Sequence, residues 1–270
     1  MPREGRAVGA REHDGIPVTA PLGERSVVLI TGGTRGIGLA VAEAYASQGA
    51  VVVISGRSDR AALDDALHRL RAQQPDASGE LVDVRQRRGV EDWVASVVER
   101  WGRIDVAIAN AGVIRPVPFL ELSEDQWDEV VGTHLKGTFL VLQAVARRMI
   151  EQHVAGSLIT VTAPAAVRAS TGVVDYASAK GGIIAMTRNL AKELAPWGIR
   201  VNSILPVAET RMTDALQRYR GASREGWAGQ HPGGTMPRPE DVTGPFLFLG
   251  SPESRLVTGQ VLAVDAGRSL

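Results

Sequence analysis

The sequence predicts an α/β fold of the doubly wound kind: one domain on a seven-stranded, mostly parallel sheet with helices on both faces. Seven short, almost wholly apolar runs recur along the chain, separated by longer stretches of helical periodicity. Continuous apolar runs suit strands buried on both faces, and strands alternating with helices give a parallel sheet. The 270 residues suffice for one large core, with no cysteine to staple it.

Each element follows in order. Residues 1–24 carry charge, glycine and proline without an apolar run and are expected to form a flexible tail, not a signal peptide. The domain is expected over 25–270. Val27–Ile30 starts the sheet and Ile37–Gln48 covers it. Val51–Ile54 precedes helix Ala61–Gln73, Leu81–Val84 precedes Val90–Trp101, and Val106–Ala109 precedes one long helix, Glu124–Gln152. Leu158–Val161 leads toward helix Tyr176–Ala195. After Val201–Leu205, the stretch Glu209–Pro239 has no strand pattern and reads over 209–238 as a substrate-binding lid. Val261–Val264 closes the sheet.

Composition removes several function classes. Lysine plus arginine and aspartate plus glutamate each number 30, so the net charge is zero. That argues against nucleic acid or an anionic membrane surface as partner. No apolar run approaches a membrane span, and a cytoplasmic location is expected. Without cysteine there is neither a thiolate metal site nor a thiol nucleophile, and the five histidines have no metal-ligand spacing, so no metal is expected.

The first strand runs into Thr31-Gly32-Gly33-Thr34-Arg35-Gly36-Ile37-Gly38, and a helix follows. Glycines let the chain turn tightly and let a phosphate approach backbone N–H groups, while the helix N-terminus adds a favourable dipole. A strand–loop–helix context makes this a dinucleotide site of the Rossmann type. At the end of the second strand the chain reads Ser55-Gly56-Arg57-Ser58, with an arginine and no acid. An acid there would bind the ribose 2′-hydroxyl of NAD. Arg57 with Arg35 instead suits a 2′-phosphate, predicting NADP(H).

Further motifs appear in order: Asp83-Val84, Asn110-Ala111-Gly112, Tyr176-Ala177-Ser178-Ala179-Lys180, Thr258-Gly259-Gln260 and Val264-Asp265-Ala266-Gly267. With the T-G-x-x-x-G-x-G loop they make the chain, from about Val27 to Gly267, resemble the short-chain dehydrogenase/reductase family. The resemblance implies that Asp83 and Val84 contact adenine, that Asn110, Ala111 and Gly112 lie beside the cofactor ribose, and that Pro206, Val207 and Thr210 reach the nicotinamide. It implies that Tyr176 is the acid/base, and that Lys180 tunes it and binds ribose. Four residues apart, the two share one face of a helix. A tyrosine with pKa near ~10 needs such tuning, because an ammonium favours the phenolate. It further implies a homodimer or homotetramer, with helices Glu124–Gln152 and Tyr176–Ala195 paired across two-fold axes.

Three positions depart from the family pattern. Thirteen residues before Tyr176, where the family places a serine on the substrate oxygen, stands Ala163; Thr162 beside it is expected to point the other way. His134 replaces an asparagine that holds a proton-relaying water, and Val207 replaces a glycine. Losing one oxyanion donor typically costs about 10²–10³ in rate. Three readings follow: an NADP(H)-dependent ketoreductase or alcohol dehydrogenase acting on a small specialised metabolite, with catalytic Tyr176, Lys180 and His134; a non-redox cyclase, isomerase or dehydratase retaining the cofactor; or a cofactor-binding protein without chemistry. Ala163–Val174 and Thr210–Pro237 are expected to shape the substrate pocket, with Arg115, Pro116, Trp227 and His231 as candidates.

Overall fold

In a computed structural model, residues 26–221, 226, 228–229 and 234–269 are described. The tail expected over 1–24, Trp227, His231 and part of the lid lie outside them. Strands β1 (Val27–Thr31), β2 (Val51–Gly56), β3 (Ser78–Leu81), β4 (Val106–Ala109), β5 (Ser157–Val161), β6 (Arg200–Pro206) and β7 (Val261–Val264) form one sheet in the order β3-β2-β1-β4-β5-β6-β7. Every pairing is parallel. The helices are α1 (Gly36–Ser47), α2 (Arg60–Arg71), α3 (Arg87–Trp101), α4 (Glu124–Val131), α5 (Gly137–Glu151), α6 (Val174–Leu194), α7 (Arg211–Arg220) and α8 (Thr243–Gly250).

The unbroken apolar strands feed two cores. Val27 and Leu29 of β1 pack with Trp93 of α3, Val145 of α5 and Ala191 of α6. Val28 and Ile30, pointing the other way, pack with Tyr45 of α1, Leu63 of α2 and Phe246 of α8. Tyr45 is fully buried and its hydroxyl donates to the Phe246 carbonyl at 2.7 Å. The strand order reverses between β1 and β4, which opens a crevice at the strands' carboxyl ends.

Two elements differ from the expectation. The third strand is Ser78–Leu81, not Leu81–Val84. It is a sheet edge, so it needs no apolar run, and Gly79 lies so close to β2 that a Cβ would sit 2.7 Å from the Ile54 carbonyl oxygen. Asp83 and Val84 therefore follow the strand. The long helix Glu124–Gln152 is interrupted by a π-helical segment, Gly132–Lys136, between α4 and α5. Such wide turns occur often at functional sites, and this one carries His134.

Candidate active site

A cleft of about 640 Å³ lies at the crevice. It gathers Gly32, Thr34, Arg35, Gly36, Ile37, Gly38, Arg57, Asp83, Val84, Asn110, Ala111, Gly112, His134, Tyr176, Lys180, Pro206 and Thr210 from positions spread along the whole chain. Val207 is the exception among the residues expected at the cofactor. Pro206 and Ala208 line the cleft, and the alternation of extended chain turns Val207 between them into the protein, where its N–H donates to the Val264 carbonyl at 3.0 Å.

At one end, α1 begins with no side-chain cap: Arg35 is extended and leaves the first-turn N–H groups without a side-chain acceptor. Asn110 fixes the glycine loop from β4, its Nδ2 donating to the carbonyls of Thr31 and Gly32, both at 3.1 Å. Thr31 Oγ1 accepts from the N–H groups of Asn110 and Ala111, both at 3.0 Å. A Cβ on Gly38 would overlap the Gly32 carbonyl, and Gly36 has φ +55°. Uncapped donors, a glycine-rich loop and two guanidiniums fit the phosphates of a dinucleotide.

Both guanidiniums have carboxylate partners that were not foreseen. Arg35 Nη2 is 2.8 Å from Asp59, the N-cap of α2. Arg57 Nη1 is 3.0 Å from Glu129 of α4, which Arg115 Nε also approaches at 2.8 Å. Hydrogen bonds from Arg57 and then Arg115 hold the Glu129 carboxyl below the usual range. The signal that could have found Asp59 is an aspartate placed to cap α2. Glu129 had no signal, being 72 residues from Arg57. Each guanidinium has five donors, so these pairs leave N–H groups for a phosphate. Asp83 is gripped by Arg85, whose Nη2 is 2.6 Å from it, and its carboxyl is held low by that contact.

At the other end stand Tyr176, Lys180 and His134. Lys180 is buried and its Nζ donates to the Val161 carbonyl at 2.5 Å, 5.6 Å from the centroid of the Tyr176 ring. Burial pushes Lys180 down to about 7 and pushes the Tyr176 phenol up. Both shifts have one cause, the removal of the two groups from water. The His134 ring meets Tyr176 edge to face at 5.0 Å. Its Nε2 is 2.7 Å from the Val113 carbonyl oxygen and 3.0 Å from the Val113 nitrogen, and its Nδ1 is buried without a partner. Burial and then the Lys180 charge push it down to about 3, so it is neutral near pH 7.

No side-chain hydroxyl stands at position 163, and Thr162, expected to point the other way, lines the cleft. The Thr162 hydroxyl donates to the Lys180 carbonyl at 3.0 Å, and Ala163 is buried. Ala163, Arg115 and Pro116 are not among the residues lining the cleft. Thr210 caps α7 and lies across the loop, its Cγ2 3.5 Å from where a Gly36 Cβ would be.

The chain is similar to known proteins over most of its length. Residues 32–269 match a family model described as enoyl-(acyl carrier protein) reductase. The chain is 38% identical over 245 residues to a 3-oxoacyl-(acyl-carrier-protein) reductase of Thermotoga maritima, covering 90% of this chain and 98% of the relative. A variant of actinorhodin polyketide ketoreductase, solved with NADPH, superposes with a TM-score of 0.86 at 30% identity, covering 90% of this chain and 97% of that one. A xylitol dehydrogenase solved with NAD⁺ superposes at 0.84 with 28% identity, covering 90% and 99%.

Proposed function

This chain belongs to the short-chain dehydrogenase/reductase family of oxidoreductases, and we propose that it is an NADP(H)-dependent ketoreductase or alcohol dehydrogenase acting on a small specialised metabolite. The observation that carries this reading is the single cleft that joins Arg35 and Arg57 at one end to Tyr176 and Lys180 at the other. When bound, NADPH supplies a hydride to the carbonyl carbon of the substrate. Asn110 and Gly38 keep the loop in shape for the pyrophosphate. Arg35 and Arg57 take the 2′-phosphate through the donors their carboxylates leave free. Lys180 holds ribose, and Tyr176 delivers its phenolic proton to the carbonyl oxygen as the alcohol forms. His134, neutral and packed on Tyr176, holds the ring in place and offers Nδ1 to a water that resupplies the proton. We propose a cytoplasmic homo-oligomer.

Purified protein should consume NADPH with at least one member of a panel of ketones and quinones, and Tyr176→Phe should abolish that consumption. Titration should show NADPH bound more tightly than NADH, with Arg57→Asp erasing or reversing the preference. Equal affinity of the unaltered protein for both would reject the assignment of cofactor. Cofactor binding with no redox turnover on any carbonyl would favour proton chemistry by Tyr176 and His134 over reduction.

A further inference from the structure

The guanidinium of Arg57 is held from behind. Gly56 ends β2 so close to the glycine loop that a Cβ there would lie 2.8 Å from Thr34 Cγ2, and Arg57 follows it at the cleft. Arg57 Nη1 donates to Glu129 Oε1 at 3.0 Å. Glu129 Oε2 accepts from Arg115 Nε at 2.8 Å, and Oε1 lies 3.4 Å from Arg115 Nη2. Both carboxylate oxygens are thus committed to guanidiniums, and the Glu129 side chain is only 16% exposed. Glu129 is not among the residues lining the cleft, whereas Arg57 is. α4 is fixed at both ends around it: Ser123 and Gln126 close a capping box at the start, and the Glu129 carbonyl accepts from Thr133 Oγ1 at 2.7 Å. Arg35 is held differently, because its partner Asp59 is half-exposed and itself lines the cleft. An incoming phosphate meets Asp59 within the cleft, while Glu129 stands behind Arg57.

We propose that Glu129 is a positioning residue for the cofactor's 2′-phosphate: it tethers Arg57 through Nη1, leaves Nε and Nη2 to the phosphate, and so sets the margin by which NADP(H) is preferred to NAD(H), a role that rests on the NADP(H) reading above. A free arginine side chain has many rotamers and loses that freedom when it grips a phosphate. A tethered one has less to lose, and affinity rises by the difference. The carboxylate charge acts the other way, because it repels a phosphate. Arg115 offsets that charge, and two guanidiniums around one carboxylate leave the cluster positive. Hydrogen bonds from Arg57 and then Arg115 keep the carboxyl ionised, so the tether persists at neutral pH. The Arg57 charge also reaches Asp83 at the adenine end, whose carboxyl is held low chiefly by Arg85 and to a lesser degree by Arg57. An acid that binds a ribose 2′-hydroxyl, as in NAD sites, needs an oxygen facing the cleft, and Glu129 has both oxygens engaged behind it.

The test is calorimetry on the full chain with NADPH and, separately, with NADH. E129A should weaken NADPH about fivefold, the scale of ordering one long side chain, and leave NADH as it was. E129Q removes the charge but keeps an acceptor for Arg57, so its affinity for NADPH should fall between those of the parent and E129A. In an R57Q background E129A should have no further effect on NADPH. D59N removes a carboxylate charge from within the cleft while asparagine still caps α2, so it reads the charge effect alone and should tighten NADPH. Tightening of NADPH by both E129A and E129Q would show that Glu129 acts only as a charge, and overturns the proposal. Equal weakening of NADPH and NADH, or an effect of E129A that survives in R57Q, overturns it too. A preference for NADPH that R57Q removes and E129A spares keeps the cofactor reading and rejects the role of Glu129. If the unaltered chain does not prefer NADPH, the cofactor reading itself fails and the proposal with it.

Discussion

At Ala163 a methyl group stands at the end of β5, and the neighbouring hydroxyl of Thr162 is spent on the Lys180 carbonyl. No side-chain hydroxyl of this segment is therefore free for a substrate oxygen. Ala163→Ser adds one on an extended backbone, φ −157°, that any residue adopts. Against a neutral ketone it should raise kcat/KM by about tenfold or more, toward the 10²–10³ typical of an oxyanion donor. The same change should do nothing in a Tyr176→Phe background; an unchanged or lower value with Tyr176 present would place the donor elsewhere. His134 makes a second prediction. The unfolded chain protonates this histidine below about pH 6.5, while the folded chain does so only near 3. Because the folded pKa is depressed for a base, the unfolded state binds more protons between those values. Stability is therefore lost as pH falls from about 6.5 toward 3, by up to about 1.4 kcal/mol per pH unit from this residue. His134→Asn should flatten the dependence of Tm on pH between about 4 and 6.5, and parallel curves for the two proteins would show that the histidine is not held neutral.

The π-helical segment and the connection after β4 depend on each other. A Cβ on Gly112 would overlap His134 Cε1 and lie 3.1 Å from both ring nitrogens. Gly112→Ala must therefore displace the ring from Val113 and Tyr176, at a cost of about 1–3 kcal/mol for overpacking. In the Gly112→Ala/His134→Asn chain, whose shorter side chain leaves room, part of that loss should return, and a thermal-denaturation cycle measures the coupling. Strictly additive effects would mean that the two elements do not touch. None of this was legible in sequence. Gly132-Thr133-His134-Leu135-Lys136 continues the helical periodicity of its neighbours, so one wide turn leaves no mark on the pattern. β3 was misplaced for a related reason, since Ser78-Gly79-Glu80 is an edge strand with a polar face. Buried strands such as Val51–Gly56 were legible because both faces demand apolar side chains. The glycine loop was legible because its function constrains neighbours in sequence. The Glu129 bridge between Arg57 and Arg115 was not, because only the fold brings α4 to the end of β2.

On the scale of the whole molecule, two of the surfaces with exposed apolar side chains among the described residues lie where a second copy could pack. One is the outer face of α4 and α5, with Trp127 and Phe139. The other lies at the end of the sheet, where β7 pairs with β6 alone, and shows Leu262, Phe248 of α8, and Leu256, which is 83% exposed. An open parallel edge with apolar neighbours invites pairing with a second copy. A face that pairs with its own copy generates a two-fold axis, and two such faces generate a tetramer. Light scattering at micromolar concentration should therefore report a tetramer, or a dimer if one face suffices. Leu256→Asp/Leu262→Asp should remove the sheet-edge contact and leave a dimer, because charges buried there would be unpaired. Adding Phe139→Asp should reduce that dimer to a monomer. The charged variants also check the interpretation: if each keeps the circular dichroism of the parent and only the mass changes, the faces are interfaces. A monomeric parent at these concentrations would show instead that both apolar surfaces face water.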